Sequence, residues 1–124
     1  MVNKNFTIRA VTHYIVEQSE PNKKRYVFSY TVTIENNGNR NTQLLRRKWL
    51  VTDANGKKLV IAGEGVVGEQ PHINAGKEYT YTSGTIIETP VGVMQGAYSM
   101  QYENKLPFEI EIYPFRLALP NILH

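Results

Sequence analysis

A chain of 124 residues with a net charge of +3 and a pI near 9.2 suits one domain, 1–124, with a weak leaning toward acidic partners. The absence of cysteine excludes disulfides and thiolate metal ligands. No apolar run approaches the ~20 residues that span a bilayer, which excludes insertion as a membrane helix.

Met1-Val2-Asn3-Lys4-Asn5 leads straight into an alternating segment, without the apolar core of a signal peptide, and so predicts a cytoplasmic protein. Phe6, Ile8 and Ala10 alternate with Thr7 and Arg9 as in a strand. The phase then passes to Val11, His13 and Ile15, which predicts a bulge. Residues 17–24 are polar, contain Pro21 and read as a loop. The clearest alternation follows: Tyr26, Phe28, Tyr30, Val32 and Ile34 share one face of a central strand. Asn36-Asn37-Gly38-Asn39-Arg40-Asn41 is a loop.

Residues 43–53 form the next strand, with Leu45, Arg47, Trp49 and Val51 on one face and Leu44, Arg46, Lys48 and Leu50 on the other. Sandwich folds bury a Trp on their third strand, which places Trp49 in the core and Arg47 at its rim, its stem buried and its head reaching out. Asp53-Ala54-Asn55-Gly56 is a hairpin turn with Gly56 at positive φ. Folding back about it brings Glu64 roughly opposite Arg46. Tyr79, Tyr81 and Ser83 share a face of a further strand, and no histidine lies near Ser83 in sequence to make it a nucleophile. Thr89-Pro90-Val91-Gly92 reads as a turn. Met94, Gly96, Tyr98, Met100 and Tyr102 are in phase, with Tyr98 a candidate tyrosine corner whose hydroxyl ties back to the backbone. Phe108, Ile110 and Ile112 form the last strand, Pro114 and Pro120 break the tail, and Phe115, Leu117 and Leu119 cover a sheet edge. About seven short strands without a helix predict an all-β fold, an immunoglobulin-like or fibronectin type III-like β-sandwich.

The stretch Gly63-Glu64-Gly65-Val66-Val67-Gly68-Glu69-Gln70-Pro71 has the G-x-G-x-x-G spacing of a dinucleotide-binding turn. That fingerprint needs a strand before it and a helix after it, whose N-terminus holds the pyrophosphate. The strand is present in Lys58-Leu59-Val60-Ile61-Ala62, but Pro71 and Gly76 oppose a helix. Gly63, Gly65 and Gly68 are therefore read as serving a bend or bulge, and remain the candidates for a phosphate loop if one exists.

Read with its neighbours, the chain resembles the ApaG family, also called the ApaG/DUF525 domain. Phe28-Ser29-Tyr30-Thr31-Val32-Thr33-Ile34-Glu35-Asn36, Gln43-Leu44-Leu45-Arg46-Arg47-Lys48-Trp49 and Thr52-Asp53-Ala54-Asn55-Gly56 carry the likeness, together with the whole glycine stretch. Tyr81-Thr82-Ser83-Gly84, Thr89-Pro90, Gly92, Met94, Gly96, Tyr98 and Met100 complete it. Ala75 departs from the pattern where the family usually has proline. The resemblance implies a compact sandwich and, for bacterial members, a small stand-alone cytoplasmic protein. It also implies an association with cobalt resistance and magnesium efflux. In eukaryotes a similar domain is joined to an F-box ubiquitin-ligase subunit and to a polymerase-interacting protein, where it serves as a protein-interaction module. It supplies no catalytic residues.

Three function classes compete. A non-catalytic module that binds a protein partner fits the fold and the resemblance, and is the reading adopted, with no cofactor. The alternatives are a nucleotide or pyrophosphate binder using Gly63, Gly65 and Gly68, and a regulator that binds cobalt or magnesium directly. The metal inventory is poor, since Asp53 is the single aspartate and His13, His72 and His124 lie far apart. Arg46, Lys48 and Glu64 are the candidate partner contacts. The basic clusters Lys23-Lys24-Arg25, Arg46-Arg47-Lys48 and Lys57-Lys58 would make an acidic-partner surface only by converging, and are read as solvated charge. Nucleic acid is not expected, because the tyrosines face inward. The chain is expected to be a monomer or a homodimer.

Overall fold

The alternating segments become two antiparallel sheets in the computed structural model, which describes residues 5–121. The expectations for residues 1–4 and for His124 lie outside these. The strands are β1 (Phe6–Tyr14), β2 (Tyr26–Asn36), β3 (Thr42–Asp53), β4 (Lys58–Glu64), β5 (His72–Ile73), β6 (Glu78–Ile87), β7 (Val91–Tyr102) and β8 (Phe108–Ala118). Two single 3₁₀ turns, Val16–Gln18 and Pro21–Lys23, fill the loop before β2. The smaller sheet runs β1-β2-β6; the larger runs β4-β3-β7-β8, with β5 beside the start of β3. The eighth strand is β5, two residues too short to be legible as alternation.

The inner faces interdigitate as the period-2 pattern demands. Phe28, Tyr30, Val32 and Ile34 of β2 are buried, opposite Met94, Tyr98 and Met100 of β7 and Ile110 and Ile112 of β8. Trp49 is 1% exposed, as expected, and is met edge-on by Tyr30, Tyr98 and Phe115 at ring-centroid distances of 5.4, 6.1 and 5.8 Å.

Five expectations about the strands are corrected. No bulge interrupts β1: it pairs continuously from Phe6↔Asn36 to Tyr14↔Phe28, so Val11 and His13 face solvent while Thr12 and Tyr14 keep the inward phase. Tyr14 holds that phase by packing on Phe28 at 5.4 Å. The bulge lies instead in β3, between Leu44 and Arg46, so Leu44 and not Leu45 enters the core, while Arg47, Trp49 and Val51 keep their predicted face. Val91 and Gly92 belong to β7 and not to the preceding turn. Pro114 does not end β8: Met94↔Phe115 and Gly96↔Ile112 set three steps of β8 against two of β7, and the extra residue places Pro114 in an irregularity of an edge strand, where a missing N–H breaks no regular ladder. The fifth correction, to Tyr98, is described with its site.

The sheets differ in width. β1 meets β8 on one side, through Phe6 against Phe108 and Thr12 Oγ1 donating to the Arg116 carbonyl. The surplus strand of the larger sheet, β4, therefore falls at the opposite side, beyond β6. This explains its burial pattern: Leu59 is 50% and Val60 59% exposed, although they point to opposite faces.

Candidate functional site

The glycine stretch folds as a tight turn fastened to the β3 bulge. Leu45 is the extra residue of the bulge against β7, and its carbonyl keeps the β3–β4 register, accepting Gly65 N–H (2.8 Å) and Gln70 Nε2 (3.0 Å). Val66 and Glu69 exchange N–H···O bonds of 2.8 and 3.0 Å, closing a two-residue hairpin whose tip residues Val67 and Gly68 have φ of 43° and 83°. Positive φ at both central positions is the type I′ turn, which suits the right-handed twist of flanking strands. Gly65 also lies at φ 58°, and a Cβ there would stand 2.0 Å from the Glu69 carbonyl oxygen. Gly63 has ordinary strand geometry and is covered by the Arg47 guanidinium. That guanidinium donates to the carbonyls of Glu64 (3.0 Å) and Gly65 (2.9 Å), so the Arg47 head reaches the rim, as expected, and is anchored on backbone. The segment continues into β5 and not into a helix, and the N–H groups of Gly65, Val66 and Glu69 are spent inside the fold.

Arg46 and Glu64 are directly opposed, as the sequence register predicts, and form an ion pair of 3.0 Å. Lys48 opposes Ala62 two places along, so Arg46, Lys48 and Glu64 lie together on the outer face of the larger sheet. Both members of the ion pair are at least 60% exposed, so it contributes only ~0.2–1 kcal/mol.

Between the sheets, Tyr98 is not a tyrosine corner. Its hydroxyl meets that of Tyr81, a phenol pair that joins the two sheets through their interior. The residue at Tyr98 supplies the second polar group that a buried Tyr81 needs, which period-2 reading cannot foresee. Burial pushes both phenols above their ordinary 10.0, Tyr98 further because Tyr81 lies against it. Tyr79 is also raised, first by burial and then by its bond to Glu69 (3.2 Å). The folded state thus keeps protons that the unfolded chain gives up near pH 10. Their contribution is complete below that pH and is lost as pH climbs through the raised values. Alkaline titration should show a tyrosinate absorbance step that coincides with unfolding, and Tyr81→Phe together with Tyr98→Phe should shrink it.

Two of the three basic clusters converge, contrary to the reading of them as separate solvated charge. Lys23, Lys24 and Arg25 from the loop before β2 meet Lys57 and Lys58 at the start of β4 across a groove of about 430 Å³. Its apolar lining is aliphatic, from Val51, Leu59, Ile86 and Ile87. Lys23 is paired with Glu20 (3.4 Å) and Lys57 with Glu88 (3.2 Å), whereas Lys24 and Lys58 have no ion-pair partner among the described residues. Lys24 is held at φ 54°, a left-handed conformation that a lysine adopts at a cost. Sequence reading missed this site because its halves are about thirty residues apart. The signal available was the run Leu59-Val60-Ile61, apolar on both faces of a strand whose neighbours alternate. Among the described residues, no three His, Asp or Glu side chains gather as metal ligands, and no helix is long and apolar enough to cross a membrane.

Two antiparallel sheets packed face to face, with a buried Trp on the third strand, define an immunoglobulin-like β-sandwich. A family model described as the ApaG domain matches residues 16–102. The protein ApaG of Photobacterium profundum is 69% identical over 114 residues, covering 92% of this chain and 90% of that one. The protein ApaG of Vibrio cholerae serotype O1 (strain M66-2) is 55% identical over 117 residues, covering 94% and 93%. The crystal structure described as the putative ApaA protein from Bordetella pertussis superposes with a TM-score of 0.90 at 41% identity, covering 94% of this chain and 95% of that one. The chain belongs to the ApaG family.

Proposed function

We propose that this sandwich is a non-catalytic protein-interaction module whose basic groove takes an acidic segment of a protein partner. The observation that carries the reading is the convergence of Lys23-Lys24-Arg25 with Lys57-Lys58 over an aliphatic floor, with Lys24 and Lys58 left unneutralised among the described residues. Unpaired cations beside exposed aliphatic side chains suit a segment that carries both carboxylates and apolar groups. A nucleic acid is a poorer match, because the lining offers no aromatic ring to stack a base. On this reading the chain works in the cytoplasm, and the family association with cobalt resistance and magnesium efflux is carried by the partner and not by a metal held here.

The test replaces Lys24 with a photocrosslinking residue in living cells of the native source, with the same probe at His13 as a control on an exposed strand. A partner captured at position 24 and not at position 13 is expected, and Lys23→Glu with Arg25→Glu should abolish it. Capture of the same background at both positions overturns the reading.

A further inference from the structure

The outer edge of β4 is unpaired among the described residues, since β3 occupies its other side. The register fixes which backbone groups face that free edge. Gly65 N–H donates to the Leu45 carbonyl and Asp53 N–H to the Lys57 carbonyl, so the opposed pairs with odd numbers on β4 are the hydrogen-bonded ones. Leu59, Ile61 and Gly63 therefore spend their N–H and C=O groups on β3. Lys58, Val60, Ala62 and Glu64 direct theirs outward.

The strand reads Lys58-Leu59-Val60-Ile61-Ala62-Gly63-Glu64, with a cation at one end, an anion at the other and apolar residues between. Laid antiparallel against itself about Ile61, it sets Lys58 against Glu64 and Val60 against Ala62 of the second copy. These are the residues whose main-chain groups face the edge, so the register that matches the charges is also the one that satisfies the backbone. On the outer face, Arg46, Glu64 and Lys58 of the other copy then stand in a row, since Arg46 already pairs with Glu64 at 3.0 Å. On the inner face Ile61 meets its own equivalent. A two-fold axis closes such an interface with each contact made twice.

We propose that two copies of this chain associate through β4, joining their larger sheets into one continuous sheet eight strands wide. The pairing covers Leu59 and Val60, which are 50% and 59% exposed in the single chain. It also removes a hazard, because an uncovered apolar edge strand is a template for uncontrolled pairing. The contact is one strand wide, so the dimer should be weak and dissociate in the micromolar range. This proposal shares Lys58 and Leu59 with the basic groove, whereas Glu64 lies outside the groove lining and tests the β4 contact alone.

The test is sedimentation of the full chain over a range of concentrations, with charge reversals at the two ends of β4. The parent should dimerise reversibly. Lys58→Glu alone and Glu64→Lys alone should each weaken the dimer about tenfold or more, because every copy then faces like charge at both ends. Mixing the two single variants should give a heterodimer, because a β4 with two acidic ends then lies against a β4 with two basic ends. Lys58→Glu combined with Glu64→Lys should restore self-association. Unchanged thermal melting verifies that the variants are folded, both side chains being exposed. A parent that stays monomeric at every concentration, single variants that dimerise as the parent does, or a combined variant that fails to recover overturns the proposal. Lys58→Glu also alters the groove, so Glu64→Lys, which lies outside its lining, separates loss of the dimer from loss of capture at position 24.

Discussion

Gly65→Ala should destabilise the chain by about 3 kcal/mol or more and lower its urea midpoint by roughly 1–2 M. Two penalties combine. The backbone at Gly65 lies at φ 58°, where a side chain costs ~1–3 kcal/mol. The added carbon would also stand 2.0 Å from the Glu69 carbonyl oxygen, the acceptor that closes the hairpin with Val66 N–H. Relief requires opening that hairpin or drawing Gly65 N–H away from Leu45, and either change disturbs the β3 bulge. Gly68→Ala, at φ 83° with open space around it, should cost only about 1 kcal/mol. Gly63→Ala should fall within ~0.5–1 kcal/mol, because the obstacle is the far end of the Arg47 side chain. This ranking separates a structural turn from a phosphate loop, which would lose ligand affinity at all three positions with folding intact. ATP and diadenosine tetraphosphate should accordingly show no saturable binding below roughly 0.1 mM, a level equivalent to ~5–6 kcal/mol. One-to-one micromolar titration of either nucleotide would reverse that conclusion.

Trp49→Ala should cost about 3–5 kcal/mol, since it empties the space on which Tyr30, Tyr98 and Phe115 converge. Trp49→Phe should cost much less than the difference in ring size suggests. The indole Nε1 is buried and has no hydrogen-bond partner, so removing it discards a desolvated donor that costs ~1–3 kcal/mol and partly offsets the smaller cavity. Equilibrium unfolding of the two variants gives the comparison. In the parent, Trp49 is the single tryptophan, and its emission should be that of a buried indole resistant to iodide. A phenylalanine variant as damaged as the alanine one would show that the indole donor has a partner in solution, such as an internal water.

The sequence was enough to read the sandwich, the buried Trp49, the Asp53 to Gly56 hairpin and the Arg46–Glu64 pairing. All of these follow from a period of two and a turn chemistry that act over a few residues. It also showed that no helix would follow Gly68, because Pro71 and Gly76 are local obstacles. The tertiary structure alone decided whether a phase shift is real. At Val11 the apparent shift vanished, because β2 holds β1 in register and Tyr14 has Phe28 to pack on. At Leu45 a bulge invisible in the alternation appeared in the pairing with β7, and its carbonyl accepts from both Gly65 and Gln70. Tyr98 found Tyr81, on the opposite sheet, in place of the backbone. Convergence of Lys24 with Lys58, and the overhang that leaves β4 open at its outer edge, depend on how a sheet of three strands is set against one four strands wide. Neither is encoded in any window of the chain: each is fixed by contacts between residues far apart in sequence, and local propensity carries no information about them.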